Sequence, residues 1–509
     1  MTIPALARIL QPALASRPAA AAVIARSGTL SYAELDAAAD AAAAALWELG
    51  VRPGDRVAAC LPNDLQIVTA FHGAQRIGAV WAGIGEALTA TEQQELAALC
   101  QPTVVLAGPR CALDARAVTA GGAVVDAARW TELTAAAPAA PAVEVDPHAP
   151  AGIAFSSGTT GAPKAIVHSQ HNLVLPAAAL VAARGWGPGL RKGDCFPFTI
   201  LNLHVLSTVA TALAGGCAVV MDRRDPDGIA QWITEHQVTT WNGAPAQLYD
   251  LASRTDLGST RLTEVWTGGG DCPNYIRDAF TAAHGIPVTS TYGLSEAPTV
   301  VAIDPIGAPH RPAASGQVLP HLTVAAYDED GRPLEPGGLG ELRLSAATAG
   351  PWAELWRPPL GQWHGAVLRR PSDDSDTPAM VATGDIGRVT ADGWLTMVDR
   401  KKLMIVRGGA NVSPAEVEAV IIQHPAVAAA VVFGIPDGRL GERVAALIIP
   451  ASPNDGLLDA VTLSSFCAGR LARYKIPDTW ARAAALPRNA MNKIIRTDLP
   501  ALLSTSLPL

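Results

Sequence analysis

The sequence predicts an α/β protein with two alternating strand–helix series, a small β subdomain after them, and a small α+β domain towards the C-terminus. Three observations carry that expectation. Apolar strand-like runs and helix-length segments alternate from Thr29 to Ala107 and again from His171 to about Ala302, the pattern of parallel sheet with right-handed crossovers. From Gly316 to Leu344 the elements shorten to alternating strands, with turns at Glu329-Asp330-Gly331 and Pro336-Gly337-Gly338. Beyond the charged cluster Asp399-Arg400-Lys401-Lys402, strand and helix patterns mix in a stretch of ordinary small-domain size.

Each element has a local cause. Ser31 and Glu34 stand at capping-box spacing and open an alanine-rich helix that stops at Leu49-Gly50. Pro53-Gly54-Asp55 turns into a strand over Arg56–Leu61, a helix covers Leu65–Arg76, and Val80–Ile84 is the next strand. Thr91 to Glu95 begins another helix, and Pro102–Ala107 closes the first series. Ala135 to Pro150, rich in Ala and Pro, reads as an exposed linker. Two short buried strands, Gly152–Phe155 and Ala165–His168, flank Ser156-Ser157-Gly158-Thr159-Thr160-Gly161-Ala162-Pro163-Lys164. Later, Pro414 to Ile421 starts a helix with proline and acids in its first turn. Strands near Ala428–Phe433 and Val444–Ile449, and a helix from Thr462 to Leu471, complete the last domain. No repeat of solenoid or propeller period is present.

Composition bounds the function. The chain has 509 residues, 49% of them hydrophobic and only 5% aromatic, so alanine and leucine must fill its helices. A net charge of −8 without a basic block argues against nucleic acid or an anionic membrane as partner. The first residues lack a basic segment followed by an apolar core, and no apolar run reaches membrane-spanning length. Seven scattered cysteines form no Cys-x-x-Cys pair and read as reduced thiols. A soluble cytoplasmic protein is the expectation, with a homodimer left open.

The chemistry concentrates in the glycine- and hydroxyl-rich stretch around Thr160. Glycines let backbone N–H groups converge on an anion, the hydroxyls add donors, and Lys164 adds a full charge. The spacing is not that of a Walker A loop. Thr267-Gly268-Gly269-Gly270-Asp271 would let a flat ligand lie on bare backbone. In Thr291-Tyr292-Gly293-Leu294-Ser295-Glu296, Tyr292 can stack on a base and Glu296 is a hard oxygen ligand suited to Mg²⁺ among phosphates. Thr383-Gly384-Asp385 puts a carboxylate after a turn, where it can accept from a ribose diol. Lys493 is an isolated lysine in the polar stretch Pro487–Lys493. Singly, each has a plainer reading: Glu296 as a helix-start acid, Asp385 as a turn former, Lys493 as a solvated lysine, His168 and His204 as core or loop hydrogen-bonders.

Their joint order, from the Thr160 stretch through Tyr-Gly-x-Ser-Glu, Thr-Gly-Asp and Asp-Arg-x-Lys to Pro-Arg-Asn-x-x-x-Lys, resembles the adenylate-forming superfamily. That superfamily holds acyl- and aryl-CoA ligases, luciferases and peptide-synthetase adenylation domains; the match spans about Thr29 to Arg496. The resemblance implies a core over 1–399, a hinge at 400–402 and a mobile domain over 403–509. ATP, Mg²⁺ and coenzyme A are the implied cofactors. Thr160 and Lys164 would meet the β- and γ-phosphates, and Gly270, Asp271 and Tyr292, with Thr291 beside them, would surround the nucleotide. Ser295 would reach the α-phosphate, Glu296 would hold Mg²⁺, and Asp385 and Arg400 would bind the ribose. Lys402 would be the hinge lysine, Asn411 would sit beside the acyl-adenylate, and Lys493 would be the catalytic lysine.

Three positions depart from the family pattern: Thr199 where a histidine or aromatic helps gate the coenzyme A path, Asn492 where glycine precedes the lysine, and Val406 where coumarate ligases have lysine. The first two leave two fates for the acyl-adenylate, coenzyme A or a separate acceptor protein. A non-catalytic nucleotide- or acyl-binding regulator is the reading of another class, and it is disfavoured because binding alone needs no lysine on a moving domain. Phe198–Leu206 contains no aspartate to pair with an amine, which disfavours an α-amino acid. The expected acyl wall is Asn202, His204, Trp241, Asn242, Gly243, Gly268 and Gly269 with Gly270, and Asn411. Its glycines leave room for a bulky cyclic or aryl carboxylic acid.

Overall fold

Ser31 closes the expected capping box: its hydroxyl accepts from Glu34 N at 3.3 Å, while Glu34 Oε2 accepts from Ser31 N at 2.8 Å. The helix it opens runs over Tyr32–Glu48. Its alanines serve close packing. A Cβ on Gly73, in the helix Leu65–Arg76, would stand 2.6 Å from Ala42 Cβ, so the two helices approach at small residues. The computed structural model describes residues 3–157, 163–253, 257–268, 272–365, 367–370, 380–407, 410–452, 458–488 and 494–509. The fold is mixed α/β, with a larger unit formed by Met1–Val324, Leu344–Val381 and Gly393–Leu395 and a smaller one formed by Ala325–Arg343, Ala382–Asp392 and Thr396–Leu509. The chain therefore passes between the units several times, where the sequence suggests a single cut after residue 399.

The larger unit holds two sheets. In one, eight strands lie in the order Val367–Arg369, Gly361–His364, Pro163–Ser169, Pro150–Ser157, Val80–Gly83, Arg56–Cys60, Val104–Ala107 and Ala123–Asp126. The last of these pairs parallel with Val104–Ala107, so the first series runs one strand further than its sequence pattern. In the other, Val288–Leu294, Glu264–Gly268, Thr240–Asn242, Arg191–Asp194, Cys217–Val220 and Ala21–Ala25 follow in parallel. Fully buried Trp81, Phe71, Leu46 and Ile67 anchor the core between helices and sheet. The smaller unit carries a sheet in which Val427–Asp437 pairs antiparallel with Gly441–Pro450, and Thr479–Arg482 runs parallel to the latter. Among its described helices are Pro414–Ile421, Ala460–Ala468 and Leu499–Thr505. Among the described residues, no helix is long and apolar enough to cross a membrane.

Four buried histidines of the larger unit, His72, His168, His204 and His321, are held neutral because burial disfavours imidazolium. His72 and His321 are pushed down to about 3, His168 to about 4, and His204 well below the ordinary value. The unfolded chain takes up these protons near the ordinary histidine value and the folded chain does not, so their contribution is intact above that value and is lost as pH falls towards about 4. Each costs about 1.4 kcal/mol per pH unit in that window. Urea midpoints should fall steeply from about pH 6.5 to about pH 5; a flat profile would contradict the assignment of neutral histidines.

Candidate active site

The phosphate-loop expectation rests on a hairpin. Pro150–Ser157 and Pro163–Ser169 pair antiparallel, with Ser156 opposite Lys164 and Ser157 opposite Pro163. Lys164 is half-buried at the start of its strand. Four residues on, His168 is fully buried, and its Nε2 donates to Ser295 O at 2.8 Å. Burial keeps this imidazole neutral, as a donor to a carbonyl requires only one N–H. Ser295 and Glu296 form the turn between Val288–Leu294 and Ala297–Ile303, in which Leu294 faces Ala297. Glu296 is thus a hairpin-turn acid and not the start of a helix. The buried histidine ties that turn to the strand bearing Lys164, joining the two sheets of the larger unit.

Thr291 lies opposite Gly268 on the neighbouring parallel strand, and its hydroxyl donates to Thr267 O at 3.1 Å. A side chain at Gly268 would collide with that hydroxyl, so the bare backbone there is a packing requirement as well as a surface for a ligand. Tyr292 is buried and Ser295 and Glu296 are half-buried. Thr160, Gly269, Gly270, Asp271 and Lys493 lie outside the described residues, as do the side chains of Lys402 and Asn411.

Two expected wall residues are corrected. His204 has no exposed surface; its ring stacks on Phe71 at 4.0 Å and meets Trp81 and Phe198 edge-on, each at 5.6 Å. Trp241 is likewise a core side chain packed under Gly243. Both sit where apolar contact outweighs exposure to a ligand. Asn202 remains half-buried, with its amide 3.5 Å from Leu294 O and its Oδ1 buried without a hydrogen-bond partner.

Sequence reasoning misses the polar cluster beneath Asn242. Asp194 accepts from Asn242 and from Ser207, which lies in the π-helical turn His204–Val209, and pairs with Lys192 at 3.3 Å. Lys192 and Asp194 are both fully buried, and burial moves both towards neutrality, the lysine down and the carboxyl up. Lys192 also lies 5.3 Å from the Trp266 ring centroid. Strand register places Asp194 beside Asn242; in the sequence both acid and lysine sit in the charged run Arg191-Lys192-Gly193-Asp194, which reads as an exposed turn and gives no sign of their burial.

Within the smaller unit, the two residues expected on the ribose meet: Arg400 Nε lies 3.1 Å from Asp385 Oδ1. Asp385 is buried and Arg400 half-exposed. Asp385 lies within the strand Val381–Val389, not after a turn; Gly384, at φ 70°, bends the strand locally. Asp399, one residue before Arg400, accepts from Ser413 Oγ at 2.6 Å and Ala415 N at 3.1 Å, clamping the segment to the start of the Pro414–Ile421 helix. Arg488 and Ile494 form an antiparallel bridge on either side of Lys493.

Among the described residues no cluster of three or more His, Cys, Asp or Glu could enclose a metal. A Mg²⁺ held chiefly by phosphates and water needs only one or two carboxylates, and Glu296 in its turn fits that donor set.

The family model described as AMP-binding enzyme matches residues 10–349, and that of the AMP-binding enzyme C-terminal domain matches residues 416–493. The chain belongs to the AMP-binding enzymes. It is 31% identical over 502 residues to a long-chain-fatty-acid–CoA ligase, FadD13, of Mycobacterium tuberculosis, covering 94% of each chain. To indoleacetate–CoA ligase of Aromatoleum aromaticum it is 30% identical, covering 92% of each. The o-succinylbenzoate CoA synthetase of Bacillus subtilis, solved with its acyl-adenylate intermediate, superposes with a TM-score of 0.84 at 25% identity, covering 98% of each chain.

In this AMP-binding enzyme Lys192→Met would leave Asp194 buried without its cation. The expected loss is about 3–5 kcal/mol of stability, read from urea unfolding. A loss below about 1 kcal/mol would show instead that Asp194 is protonated in the folded state.

Proposed function

We propose that the chain activates a bulky cyclic or aryl carboxylic acid as its acyl-adenylate and passes the acyl group to coenzyme A. The chain is an AMP-forming acid–thiol ligase that uses ATP. The observation that carries the reading is the His168–Ser295 bond, which brings the Glu296 turn to the strand of Lys164. Lys164 lies four residues before His168, about 13 Å along that strand, and Glu296 directly follows Ser295, so a cation and a carboxylate fall on two hairpins that this bond links. The substrate carboxylate and the α-phosphate are both anions, and two unit charges about 4 Å apart repel by about 4 kcal/mol at a surface-like dielectric. Lys164, with Thr160, would hold the β- and γ-phosphates, and Glu296 would hold a Mg²⁺ that neutralises charge on them. Tyr292, Gly270 and Asp271 would face the base, with Thr291 and Ser295 beside the α-phosphate, and Asp385 and Arg400 would hold the ribose.

Lys493 would bridge carboxylate and α-phosphate, supplying the charge where it develops in the transition state. Residues 400–402 would act as the hinge that delivers it, with Lys402 at the pivot. The acyl group would lie against Asn202, Gly243, Gly268 and Gly269, with Asn411 beside the adenylate. Two features support a bulky acid: the glycines of that wall, and the indoleacetate ligase among the relatives. Thr199 and Asn492 favour a second reading, in which a separate protein accepts the acyl group.

ATP–pyrophosphate exchange across aliphatic, aryl and polycyclic acids, with and without coenzyme A, tests the reading. Exchange with a cyclic or aryl acid and a coenzyme A thioester by mass supports it. Exchange without the thioester supports the separate acceptor, and preference for acetate or an amino acid overturns the substrate class. Lys493→Ala should slow adenylation about 10³-fold, the equivalent of about 4 kcal/mol, with ATP binding largely unchanged. Equal turnover by that variant would remove Lys493 from the mechanism.

A further inference from the structure

We propose that Cys60 and Cys111 form a redox-active thiol pair, a site of reversible disulfide formation separate from the adenylation machinery. The topology builds it. Cys60 ends the strand Arg56–Cys60, and the register of the parallel neighbour Val104–Ala107 places Ala107 beside it. The chain then turns back on itself: Gly108 N donates to Cys60 O at 2.7 Å, and Cys111 N donates to Gly108 O at 3.1 Å. That turn packs Cys111 against the same buried cluster that holds Cys60, where a side-chain hydrogen bond joins the two thiols. It is tight, since a Cβ at Gly108 would stand 2.8 Å from Cys60 O and 2.9 Å from Pro62 Cδ. Side chains from outside fix it further. Glu86 Oε1 accepts from Arg110 N at 3.3 Å, and Gln93 accepts from Ala112 N at 2.8 Å while its amide donates to Arg110 O at 3.3 Å.

The two thiols differ in a way that assigns their roles. Cys60 has no exposed surface, whereas Cys111 is the one cysteine of the seven that is not buried. The S–H of Cys60 donates to the Cys111 sulfur and lowers that thiol to about 7, against the opposing effect of partial burial. The same contact, together with burial, raises Cys60 and keeps it protonated. Thiolate character and access select the sulfur that an oxidant meets first. With hydrogen peroxide as oxidant, the Cys111 thiolate attacks one peroxide oxygen, the O–O bond breaks, and Cys111 becomes a sulfenic acid as the departing hydroxide takes a proton from solvent and leaves as water. The Cys60 thiol then attacks the sulfenic sulfur, the S–O bond breaks, the S–S bond forms and a second water leaves. Two thiols are oxidised by two electrons and one hydrogen peroxide is reduced to two waters. A dithiol reductant reverses the step by thiol–disulfide exchange.

Mass-spectrometric peptide mapping of the whole protein, alkylated after treatment with stoichiometric hydrogen peroxide, tests the pair. A Cys60–Cys111 cross-link that dithiothreitol removes is the expected result. In Cys60→Ala the oxidation should stop at a sulfenic acid on Cys111 that dimedone captures. Without the donated S–H, alkylation of reduced Cys111 at pH 7 should also slow about tenfold, as its thiolate fraction falls towards that of an ordinary thiol. The proposal is overturned if Cys111 of the unsubstituted protein stays reduced under peroxide, or if it couples to a cysteine other than Cys60. Unchanged alkylation in Cys60→Ala would overturn the assigned roles.

Discussion

The arrangement depends on one neutral hydrogen bond donated by a buried imidazole. His168 lies on the strand that begins with Pro163 and Lys164, and its N–H holds the carbonyl of Ser295 in the turn that carries Glu296. The two partners belong to different sheets, so the bond joins elements that no shared ladder of backbone hydrogen bonds connects. The His168 ring has no exposed surface, so leaving its N–H without a partner would be costly. A charged imidazolium would pay the full desolvation penalty of a buried ion, so the same burial that rigidifies the joint keeps the ring neutral.

A second layer of polar burial lies within the larger unit. Lys192, Asp194, Ser207 and Asn242 come from two adjacent strands and a π-helical turn, and their groups satisfy one another. Such a network stabilises only while it is complete. Beside it, His204 and Trp241 turn inward to the aromatic and aliphatic core. In the smaller unit, Asp385, Arg400 and Asp399 divide the work by position: one carboxylate meets a guanidinium, and the other caps the following helix.

Much of this is legible in the order of residues along the chain. The alternation of strands and helices marks the α/β class, because periods of 2 and 3.6 leave their trace wherever one face is buried. The Ser31–Glu34 box is readable because capping chemistry is local. Less legible is the short strand Ala123–Asp126. The placement of Asp385 inside a strand escapes a sequence reading because Thr-Gly-Asp is turn-forming in isolation, while Gly384 bends a strand whose pairing comes from elsewhere. His204, being polar, is expected at the ligand; Phe71, Trp81 and Phe198 instead stack around it from distant parts of the chain.

By itself the sequence determined the order of nucleotide motifs, the residue types able to offset phosphate charge, and the class of fold, since each is set by neighbours a few residues apart. Only the tertiary structure decided that His168 secures the Glu296 turn, that Asp194 anchors Asn242, and that Cys60 meets Cys111. Those pairings join residues far apart in sequence. They depend on strand order and register, which arise from the packing of the whole unit and leave no spacing in the chain to read.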